Sequence, residues 1–74
     1  MKLEHAIVHA LALTRELHEA LNEGRMDQYA GILARRSAAM ADFQAVHEAA
    51  APDERRHCRP LLQELGRLDA ELQT

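Results

Sequence analysis

The 74 residues include one cysteine, Cys58, no tryptophan, one tyrosine and one phenylalanine. A lone cysteine cannot staple the chain internally, so stability must come from packing or self-association. It also points to a reducing compartment. A domain of this size buries only about 60% of its unfolded surface, which leaves little margin. Scarce aromatics shift the apolar content to alanine and leucine, which suit helices far better than sheets. There is no basic excess: net charge is −3 and the isoelectric point is about 5.9. That argues against binding nucleic acid through its phosphates. No apolar run is long enough to cross a bilayer, so no membrane partner is expected. The N-terminal stretch MKLEHAIVHALAL carries Glu4, His5 and His9 where a signal peptide would be apolar. It reads as mature, cytoplasmic sequence.

What is present is helical periodicity. Three segments, 3–23, 27–50 and 53–73, each show one apolar stripe, and together they form a single all-α domain. In the first, Leu3, Ile7, Ala10, Thr14, Leu17 and Leu21 alternate spacings of four and three, widened by Ala6, Leu13 and Ala20. Gly24 suits the position just past the helix end, where a left-handed backbone is needed. Asp27 is the expected N-cap of the second helix. The inner face of that helix is Tyr29, Ile32, Leu33, Arg36, Ala39, Met40, Phe43, Val46, His47 and Ala50. Pro52 fits the first turn of the third helix, with Asp53 and Glu54 at its positive end. The third stripe is Cys58, Leu61, Leu62, Leu65, Leu68 and Leu72. Pro60 falls on its outer side and predicts one kinked helix. Short links make this an antiparallel three-helix bundle, or a hairpin that dimerises into a larger one.

Chemistry has little to work with. His5 and His9 stand at i,i+4, but no third ligand lies at a motif spacing, and a surface pair is the expectation. Cys58 reads as a small core hydrophobe, not an activated thiolate. Ser37 is the only serine, the three glycines are isolated, and the short RRHCR run reads as an exposed face. No catalytic, metal-binding or cofactor-binding residues are expected, and the chain does not read as an enzyme. Val8, Leu11, Met26 and Leu62 are a modest apolar surplus at or beyond the stripe edges.

Arg36 interrupts the apolar face of the second helix. Counted from the two turns, it stands level with Thr14 on the first helix and near the level of Asp69 on the third. Two arrangements follow. Arg36 can cross the bundle in a polar layer with Thr14 and Asp69, or it can face an open groove and grip an acid on a partner. The internal pair is expected, because a buried unpaired charge is costly.

The stretch ALNEGRMDQY, followed by Arg36 and then CRPLLQEL, resembles the FliT family of flagellar type III export chaperones. The matching residues are Gly24, Asp27, Arg36, Arg59, Pro60 and Leu62, spread over about residues 11–72, with Met26 where that family has tryptophan. The resemblance implies a cytoplasmic, non-enzymatic chaperone that holds the C-terminal segment of the flagellar filament-cap protein and meets export apparatus components. It implies a hydrophobic groove on the second and third helices, with Leu33, Arg36, Met40, Leu61, Leu65, Leu68 and Leu72 as partner-binding residues. These 74 residues do not include the fourth, regulatory helix of the family, so the groove is expected to stand open and the chain to form a homo-oligomer. The alternatives are a FlgN-like chaperone for hook–filament junction proteins and a structural oligomerising module with no export role.

Overall fold

A computed structural model describes residues 2–72, all of the chain except Met1, Gln73 and Thr74. The described residues contain no strand. Four helices follow one another: α1 (Lys2–Glu23), α2 (Met26–Ala49), α3 (Pro52–His57) and α4 (Arg59–Leu72). The all-α class follows the three stripes. The last residue of the expected third helix, Gln73, lies outside the described residues.

Gly24 ends α1 as its sequence position requires, with φ +70°. The Arg25 N–H reaches back to the Ala20 carbonyl (2.9 Å) and the Gly24 N–H to Leu21 (3.3 Å). These are the paired bonds of a Schellman turn. The turn is so tight that it corrects the expected cap. Arg25, not Asp27, precedes α2, and it makes no side-chain cap. Closing the turn on Arg25 puts Met26 directly into the helix, so Asp27 falls inside the first turn. There its charge still favours the positive helix end.

The glycines make opposite predictions. A Cβ at Gly24, Gly31 or Gly66 would meet nothing within 4 Å. Gly24→Ala is therefore expected to lose about 1–2 kcal/mol through backbone strain alone. Gly31→Ala, inside α2, is expected to gain about 0.5–1 kcal/mol. Urea midpoints of the two variants, one below and one above the parent, check both.

The expected single kinked third helix is two helices that meet at Cys58 (φ −90°, ψ 3°). Pro60 has no N–H to offer the Arg56 carbonyl. The Cys58 N–H turns instead toward the carbonyls of Arg56 and Glu54, and the Leu62 N–H resumes the ladder at Cys58 (3.0 Å). Proline also disfavours helical geometry in the residue before it, which explains why the break falls just upstream. Arg55, expected on an exposed face, is half-buried. Its guanidinium donates to the His47 and Glu48 carbonyls (both 2.9 Å). It thereby closes the C-terminus of α2, where backbone acceptors lack partners.

α1 is the central helix. Leu3, Ile7, Ala10, Leu11, Leu13, Thr14, Leu17 and Ala20 are all buried on it. Leu11, placed at the flank by its spacing, joins the core with Cys58, Leu65 and Leu68. Leu21, placed in the stripe, is 40% exposed because it lies at the hairpin end. The backbones of α1 and α2 run side by side, as do those of α1 and α4, whereas α2 and α4 hardly approach each other. The body measures 40 × 19 × 16 Å, its long axis set by the lengths of α1 and α2. Contacts fix the register. Arg35 on α2 faces Glu16 on α1 (3.8 Å), and the His18 ring meets the Leu68 carbonyl (2.9 Å) on α4.

Candidate functional site

A triangular bundle would bring all three long helices together in pairs. Here only two of the three pairs are close. α1 therefore lies between α2 and α4, which meet through side chains and not through close backbones.

One polar cluster spans the gap between α2 and α4. Arg36 Nε donates to Thr14 Oγ1 (2.9 Å), and Arg36 Nη2 donates to an Asp69 carboxylate oxygen. Thr14, fully buried, donates its own hydroxyl proton to the Ala10 carbonyl (2.8 Å). The expected Thr14–Arg36–Asp69 layer is thus present. The arginine side chain is 15% exposed and the aspartate 39%. A guanidinium suits this task because its long stem crosses the gap along apolar neighbours while its planar head bonds to both sides.

On either side of the cluster, helical spacing sets out two rows. Leu33, Ser37, Met40 and Gln44 follow one another on α2 at spacings of four, three and four. Leu62, Gly66 and Asp69 do so on α4 at four and three. Asp69, already paired, is charged, and so is the exposed Arg59 one step before Leu62 in the same row. Leu33 is 40% exposed, while Met40 and Leu62 are half-buried against the core. Rows at this spacing on two helices form the holes that a further helix fills with its knobs.

The groove residues expected from the sequence do not all reach this surface. Leu65 and Leu68 are 4% and 8% exposed and belong to the core. Leu61 and Met40 are half-buried over the main cluster, and Leu72 packs with Tyr29 on Leu17, Ala20 and Ile32. Leu33 lies open, and Arg36 is engaged within the chain. Leu62 and Gly66 line the opening and are not among the expected groove residues. Leu62 is legible only as a stripe-edge leucine. Gly66 gives no signal beyond its place one turn from Leu62.

Other features take no part. His5 and His9 are exposed, and among the described residues no group of three or more histidines, cysteines or acids could hold a metal. No helix among them is long and apolar enough to cross a membrane. Cys58 is 1% exposed. Burial first, then the carboxylates of Glu4 and Glu54, push its thiol above the ordinary value of 9.0. The neutral thiol is therefore favoured in the folded state. Its contribution to stability is fully present below the unfolded thiol's pKa and is lost as pH rises through the folded value. Urea midpoints are expected to fall above about pH 9 in the parent and less so in Cys58→Ala. Iodoacetamide should label the parent at a rate that follows unfolding.

Compared with known protein families, characterised proteins and solved structures, the chain shows no significant match.

Proposed function

We propose that this chain is a non-enzymatic binding module of the flagellar export chaperone kind, which receives an apolar helical segment of an export client in the corner between α2 and α4. The observation that carries this reading is that the backbones of α2 and α4 both pack on α1 but hardly approach each other. The resemblance supports it. Gly24 lies in the hairpin turn, Asp27 in the first turn of α2, Arg36 in the bridging layer, and Arg59, Pro60 and Leu62 at the start of α4. Recognition would be of the helix-in-groove type, with spaced apolar anchors supplying affinity. A cytoplasmic location follows from the same reading, and the C-terminal segment of a filament-cap protein is the first client to test.

Isothermal calorimetry of the chain against that segment, taken from the same organism, is expected to show one saturable site at micromolar concentration. Absence of heat at high micromolar concentration would favour a second reading, an oligomerising helical module. The exposure of Val8, Leu21, Met26 and Leu33 supports that reading, because large apolar side chains in so small a chain invite self-association.

A further inference from the structure

We draw no further inference here: the strongest candidate, the exposed stripe of small residues along α2 formed by Ala30, Ala34, Ala38, Ala41, Ala45 and Ala49, lies open to solvent over its whole length, and nothing in the structure shows what covers it.

Discussion

Leu17→Ala is expected to leave the chain close to its unfolding midpoint at room temperature. Leu17 is 2% exposed and packs with Ala20 and Ile32 beneath Tyr29 and Leu72, so it joins α1 to α2 and to the end of α4. Truncating a buried leucine loses its transfer energy and leaves a cavity, at a cost of about 2–5 kcal/mol. A small domain has roughly 4–11 kcal/mol to lose, and this one has no disulfide to offset the deficit. Leu33→Ala, at a site 40% exposed, is expected to cost well under half as much. Circular dichroism during urea titration separates the two. Similar midpoints would mean that Leu17 does not hold the core together.

The second large effect belongs to the polar layer. Asp69→Leu leaves the Arg36 guanidinium largely buried beside an aliphatic chain, with Thr14 as its remaining partner. The expected cost is about 1–3 kcal/mol, held below that of a fully buried pair by the exposure of the carboxylate. Arg36→Met should cost less, because methionine keeps the stem's packing and the remaining Asp69 can turn to water. The double variant Arg36→Met, Asp69→Leu is expected to recover most of the loss. A double apolar replacement removes the unpaired charge along with the pair. The coupling energy from the four midpoints should be about 1 kcal/mol or more. A value near zero would mean that the layer fixes neither register nor stability.

Much of this layer is legible in the amino-acid sequence. Thr14, Arg36 and Asp69 come to one level by counting from Gly24 and Pro52, because both turns are short. The stripes likewise mark which face of each helix turns inward. They do not say which helix that face meets. The resemblance puts Leu65 and Leu68 in a binding groove, whereas the stripe puts them in the core, where α4 spends both. Leu65 and Leu68 of α4 close one buried cluster with Leu3, Ile7, Ala10 and Leu11 of α1, while Ile32 of α2 closes another with Leu17 and Ala20. Periodicity carries no signal for that division. The break at Cys58 escapes the pattern for a different reason. Pro60 announces a disturbance, but whether the helix bends or divides depends on whether a nearby N–H can serve the stranded Arg56 carbonyl. At the start of α2, Asp27 has the right chemistry for a cap, yet the Schellman turn closes two residues before it.

The central claim is that α2 and α4 border a corner which receives a helix from outside the chain. Its most direct test is a methyl NMR titration of the chain with the C-terminal segment of a filament-cap protein. The account predicts that the methyl resonances of Leu33, Met40 and Leu62 move progressively to saturation, while those of Val8 and Leu21 stay in place. Val8 lies on the outer side of α1 and Leu21 at its hairpin end, so neither borders the corner although both are exposed. Shifts concentrated on Val8 and Leu21, with Leu33, Met40 and Leu62 unmoved, would contradict it.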